Sequence, residues 1–181
     1  MLISSIQRTD HVHQITDDDD ISCQIPTYAP TGSSVNVLYC NMLIRFSQLS
    51  SLVNKRLLNV QAFRRTTGAT ISTVLDLDQQ LRSLKESMAY LFCVDAPINP
   101  LNPPTSISFK EALHLQFTYY NILSDIHTTL TYPWSQAMLR PQESSEHRKH
   151  IETSCATAAD AARALILATK WVHLDANCPI V

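Results

Sequence analysis

The stretch SFKEALHLQFTYYNILSDIHTTLT, residues 108–131, sets the fold class of this chain. Ser108 and Glu111 stand three residues apart, which is the spacing of a helix-starting capping box. The stretch therefore predicts a helix that begins near Phe109 and runs to about Thr131. Apolar residues cover a wide part of its surface, so we expect neighbours to bury this helix on more than one side.

Two further helices are predicted before this stretch. Between Val35 and Leu57, apolar residues recur at steps of three and four, which indicates a long amphipathic helix that reaches about Phe63. Gly68 is interpreted as a flexible stop. A second long helix with a coiled-coil-like seam follows from a strict 3-4-3-4-3 repeat of apolar residues, namely Val74, Leu77, Leu81, Leu84, Met88 and Leu91.

A fourth helix is predicted from about Ser145 to Asp175. Prolines in the segment 97–104 mark a linker, because the proline ring removes a backbone donor and clashes with the preceding turn. The segment 132–141 is a second predicted loop. No segment alternates polar and apolar residues as a strand would.

These elements together predict an all-α protein. We expect one domain over 1–181, in which a mostly extended loop, residues 1–34, precedes a bundle of about four long helices, residues 35–175. Its 181 residues, 45% of them hydrophobic, are enough for a core that needs no disulfides or metal.

Composition excludes several classes of function. The net charge of −2 argues against direct binding of nucleic acid, and no apolar run approaches the roughly 18 residues of a membrane span. Five widely separated cysteines lack the paired spacing of zinc ligands, so we expect reduced thiols in an intracellular protein and no metal site. Only two glycines occur, so the glycine-rich fingerprints of nucleotide-binding loops are absent and no cofactor is expected.

Three polar residues of the 108–131 helix are candidate site residues. Gln116, Tyr120 and His127 fall on a mainly apolar side, where a buried polar group needs a partner. They are either core side chains satisfied by one another or by the backbone, or they line a ligand cavity against the first and last helices. If the protein is an enzyme, Tyr120 and His127 would exchange protons with the substrate.

Three stretches resemble the regulatory domain of fungal zinc-cluster transcription factors, the middle homology region. Residues 15–21, ITDDDDI, with Pro26, are similar to the family's segment I-x-D-x-D-I-x-x-x-P. Residues 113–117, LHLQF, continuing to His127, are similar to its helix L-H-L-x-Y…L-H. Residues 155–162, CATAADAA, are similar to its C-x-x-A-A helix. The stretches occur in the family's order.

Two departures accompany this resemblance. Thr9-Asp10-His11 replaces the family's Gly-Arg-Pro before the aspartates, and Thr128-Thr129 replaces its Arg-Pro after the helix histidine. The resemblance implies the C-terminal half of that domain, without the zinc-cluster DNA-binding module. It further implies a nuclear, ligand-sensing or regulatory role with no chemical turnover.

Two other functions stay open. One is a stand-alone, cofactor-free isomerase or cyclase of fungal natural-product biosynthesis, cytoplasmic, with Tyr120 and His127 as acid and base. The other is a dimerisation partner without a ligand. We also expect a homo-oligomer, with the apolar faces over 74–91 and 35–57 as the contact surfaces.

Overall fold

The computed structural model describes residues 25–90, 93–94, 104–135 and 144–172. Within these ranges the chain contains four α-helices and no strand, which confirms the all-α prediction. The helices are α1 Val37–Val53, α2 Thr67–Ser87, α3 Phe109–Thr131 and α4 Ser145–Ala168. A π-helical turn, Asn54–Leu58, continues α1, and two short 3-10 turns lie at Ala62–Arg64 and Thr169–Trp171.

Helix α3 has the predicted bounds because its start is encoded locally. The Ser108 hydroxyl accepts a hydrogen bond from the Glu111 N–H at 3.2 Å, and the Glu111 carboxylate accepts one from the Ser108 N–H at 2.7 Å. The capping box is therefore complete.

The interpretation of Gly68 as a flexible stop was wrong. Gly68 lies in the first turn of α2, and the helix begins because the Thr66 hydroxyl accepts a hydrogen bond from the Ala69 N–H at 3.3 Å. The ring of His147 in α4 approaches this turn, and a Cβ on Gly68 would lie 3.6 Å from its Nε2 atom. The first turns of α2 and α4 are thus close together.

The last predicted helix is shorter than expected. Helix α4 ends at Ala168, where the backbone tightens into a 3-10 turn. The predicted continuation over 173–175 lies outside the described residues, as do residues 1–24, 97–103 and 136–141 of the predicted loops. Residues 25–36 form no helix or strand, and the helix predicted from Val35 begins at Val37.

Helices α3 and α4 lie antiparallel. Phe109 at the start of α3 meets Trp171 just after α4 in an edge-to-face contact, with ring centroids 6.3 Å apart. His127, far along α3, meets Ser154 in the first half of α4. Helix α3 also contacts α1 and α2, so it is buried on more than one side as predicted.

The core takes side chains from all four helices. Most of the two apolar faces that were expected to mediate self-association lies inside it, because they pack against helices of the same chain, whereas Val35 and Leu38 of the first face are exposed. The face over 74–91 provides Val74, Leu77, Leu81 and Met88, and the face over 35–57 provides Met42, Phe46, Leu49, Val53 and Leu57. These residues are not free to form an interface, and the homo-oligomer stays a prediction.

Candidate functional site

A buried polar network joins three of the helices. His127 of α3 is 4% exposed, and its Nδ1 atom lies 3.1 Å from the Ser154 hydroxyl of α4. Its Nε2 atom lies 3.6 Å from Asp78 Oδ1 of α2. Because Asp78 and Ser154 are also buried, the network crosses the core.

The imidazole of His127 is held on both sides. A serine hydroxyl can either donate or accept a hydrogen bond, so Ser154 suits Nδ1 with or without a proton. On the other side, Asp78 Oδ1 and His127 Nε2 have no hydrogen-bond partner within 3.5 Å among the described residues. These two atoms face each other at 3.6 Å, which is within ion-pair range and longer than a hydrogen bond.

Asp78 is stabilised as a carboxylate by a second partner. Arg82, one turn later in α2, donates a hydrogen bond from Nε to Asp78 Oδ2 at 3.0 Å. Its Nη2 atom lies 2.8 Å from the same oxygen. Burial raises the pKa of Asp78, but the neighbouring Arg82 and His127 together lower this pKa by more than burial raises it. The pKa of Asp78 is therefore below its ordinary value, and the carboxyl is ionised at neutral pH.

Gln116 has a different partner. It is buried in α3, and its side-chain Nε2 donates to the Val94 carbonyl at 2.8 Å. This hydrogen bond ties α3 to the segment that follows α2.

Tyr120, the third predicted site residue, is partly buried beside the core. Its ring meets that of Tyr119 edge-to-face, with centroids 5.2 Å apart. Gln116 and His127 thus serve different contacts within the core, which favours the alternative of satisfied core side chains. Ligand binding by Gln116, Tyr120 and His127, and acid–base catalysis by the last two, stay predictions.

The sequence analysis missed Asp78 and Ser154, although a signal for both was present. Asp78 lies between Val74 and Leu81 at helical spacing, on the buried seam of α2. Ser154 lies three residues after Ile151 on the buried side of α4. A lone polar residue at a core position of a helix indicates a partner across the interface.

An open groove lies elsewhere, between α1 and α2. Its volume is about 350 Å³, and none of the three predicted site residues lines it; the lining residues are Arg45, Gln48, Leu49, Leu52, Gln80 and Leu84.

Metal ligands and membrane spans give no further site. In the described part of the chain, no three His, Cys, Asp or Glu side chains are grouped so that they could hold a metal ion. No helix over the same ranges is long and apolar enough to cross a membrane.

Comparisons with known proteins identify fungal relatives. No protein-family model matches the chain, and no solved structure matches it significantly. An ABC-transporter-regulating transcription factor of Aspergillus oryzae is 26% identical over an alignment of 180 positions that covers 91% of this chain and 20% of that protein. A protein of the same description from Aspergillus fumigatus is 29% identical over an alignment of 123 positions that covers 62% of this chain and 13% of that protein. The chain thus spans a fifth or less of these relatives, and the similarity supports its relationship to fungal transcription factors.

Proposed function

We propose that this chain is a helical regulatory module of a fungal transcription factor that acts in the nucleus. The observation that carries the proposal is the similarity to the Aspergillus oryzae regulator, which extends over 91% of this chain. Because the match covers 20% of that regulator, the chain corresponds to one part of it. The other parts supply whatever DNA binding the whole protein performs.

The structure supports control through contacts instead of chemistry. The titratable groups that the core brings together, Asp78 and His127, are both buried and bound to neighbouring helices. Such a network fixes how helices pack, whereas a general acid or base must reach its substrate. The module then controls, through a protein contact or a bound small molecule, how strongly the rest of the factor acts.

A segment exchange tests this function. The aligned segment of the Aspergillus oryzae regulator is replaced by this chain, and the transcript of an ABC-transporter gene under its control is measured. We expect the chimera to transcribe this gene in response to the same condition that induces it with the unaltered regulator. A chimera that carries Phe46→Asp should lose the response, because Phe46 is fully buried in the core. A chimera present at the normal level whose transcription equals that of a segment deletion would contradict the proposal.

A further inference from the structure

The side of α4 that faces away from the core is exposed along most of the helix. Ile151, Ser154 and Ala161 of this helix are buried against its neighbours. On the opposite side, six positions recur at steps of three and four residues, which keeps them on one face. They are Lys149, Glu152, Ala156, Ala159, Arg163 and Ile166, and all are exposed except Ala159, which is partly exposed. We call these six positions the outer face of α4.

The outer face carries apolar surface that a contact with another chain would bury. Ile166 is 70% exposed, and the adjacent Leu167 is 66% exposed. Large aliphatic side chains that stand together in water favour a contact that removes them from it. Ala156 and Ala159, at the middle of the face, have small side chains, so the axis of a second helix can approach to about 8 Å. The face therefore suits a helix.

The charges of the outer face are arranged symmetrically about its middle. Glu152 lies four residues before Ala156, and Arg163 lies four residues after Ala159. When a second copy of α4 lies antiparallel with its middle opposite this one, Glu152 faces Arg163 of that copy and Arg163 faces its Glu152. A parallel copy would instead bring Glu152 against Glu152 and Arg163 against Arg163, and like charges repel. The face is thus complementary in charge to an antiparallel copy of itself.

We propose that the outer face of α4 is a homodimer interface in which the α4 helices of two copies of this chain pack antiparallel. A two-fold axis between Ala156 and Ala159 relates the copies, so the contact between Glu152 and Arg163 occurs twice. This interface differs from the two faces that were expected from the sequence, most of which the fold buries. The dimer does not depend on the proposed regulatory function.

The same register accounts for two other side chains of the outer face. It places Lys149 opposite Ile166 of the second copy, where the methylene groups of the lysine cover the isoleucine while its ammonium stays in water. Arg163 already pairs with Asp160 of its own helix, so its guanidinium would lie between two carboxylates. A single pair of helices buries a small area, and we therefore expect a dissociation constant of roughly 10–100 µM.

Sedimentation velocity of the full chain tests the dimer. We expect the sedimentation coefficient to rise from the monomer value to the dimer value between about 5 and 500 µM protein. Added salt should weaken the association, because the facing charges lie at the surface. A chain that stays monomeric up to about 500 µM would overturn the proposal and leave the outer face to a different partner.

Charge reversal identifies the contact pair. Glu152→Arg and Arg163→Glu should each weaken self-association by roughly tenfold or more, because like charges then face each other twice. An equimolar mixture of the two variants should dimerise about as tightly as the wild type, because each contact between the two variants joins opposite charges. The control is Arg45→Glu, at an exposed position on α1, which should change the dissociation constant by less than about twofold.

Two results with the variants would also overturn the proposal. One is a mixture that associates no more tightly than either variant alone, since the contact would then lie elsewhere on the chain. The other is an effect of Arg45→Glu as large as that of Glu152→Arg. Circular dichroism of each variant checks that it is folded, so a weaker dimer cannot be ascribed to unfolding.

Discussion

Asp78, His127 and Ser154 carry polar atoms into a core that is otherwise apolar, and burial of such atoms is costly unless they are paired. Their pairing across α2, α3 and α4 makes the packing of these helices specific. An apolar replacement of His127 would remove the hydrogen bond of Ser154 and leave Asp78 with Arg82 as its partner. The stability of the network is therefore shared among three helices and depends on each member.

The lowered pKa of Asp78 predicts how the stability of the fold depends on pH. Its pKa is lowered in the folded state, so its stabilising contribution is complete above the unfolded-state pKa and is lost as pH falls through the folded-state pKa. We expect Asp78→Asn to lower the free energy of unfolding by about 1–3 kcal/mol at pH 7. The difference from the wild type should narrow below about pH 4 in urea titrations.

Asp76 on the same helix provides the control for this titration. It pairs with Arg56 at the surface, where an ion pair contributes little. Asp76→Asn should leave stability at pH 7 nearly unchanged. Equal effects of the two substitutions, or a gap for Asp78→Asn that stays constant down to pH 3, would contradict the assigned role of the buried carboxylate.

The ends of a helix could be predicted where residues that mark an end stand in the sequence. The bounds of helix α3 agree with the predicted ones, and its start was predictable because Ser108 and Glu111 encode it within four residues. The end of α1 was not predicted, since the apolar period continues through Leu57 while the backbone changes to a π-helical turn after Val53. A period in side chains reports the buried face and is insensitive to such a change in hydrogen bonding.

The capping box of α3 gives a prediction at this scale. Ser108→Ala removes the hydroxyl that accepts from the Glu111 N–H, so the free energy of unfolding should fall by about 1 kcal/mol. Ser108→Gly should lower the free energy of unfolding by only about a few tenths of a kcal/mol, because water reaches the exposed N–H groups more easily beside glycine than beside alanine. Urea titrations of the two variants decide the point, and an alanine variant as stable as the glycine variant would speak against the cap.

For the whole molecule, the helix faces could be predicted but not the pairing between them. The apolar seam of α2 looked free in the sequence and suggested self-association, yet Leu77 and Leu81 are fully buried within this chain. An amphipathic period shows that a face needs a partner and does not say whether that partner is in the same chain. For the same reason, Gln116 and His127 were predicted to be buried polar groups, while their partners Val94 and Ser154 were not identified.

One core shared by four helices predicts cooperative unfolding. We expect the loss of helix, followed by circular dichroism, and the loss of core packing, followed by near-ultraviolet dichroism, to share one midpoint in urea. Two separate midpoints would show that part of the bundle unfolds independently and would contradict the single-domain prediction.

The edge-to-face contact between Phe109 and Trp171 supplies a built-in optical reporter. The chain has two tryptophans, and Trp134 is 65% exposed whereas Trp171 is partly buried against the core. Replacing Trp134 by phenylalanine leaves Trp171 as the single emitter, placed where the end of α4 meets the start of α3. Its emission maximum would shift to longer wavelength whenever these two helix ends separate, so local fraying could be timed apart from global unfolding.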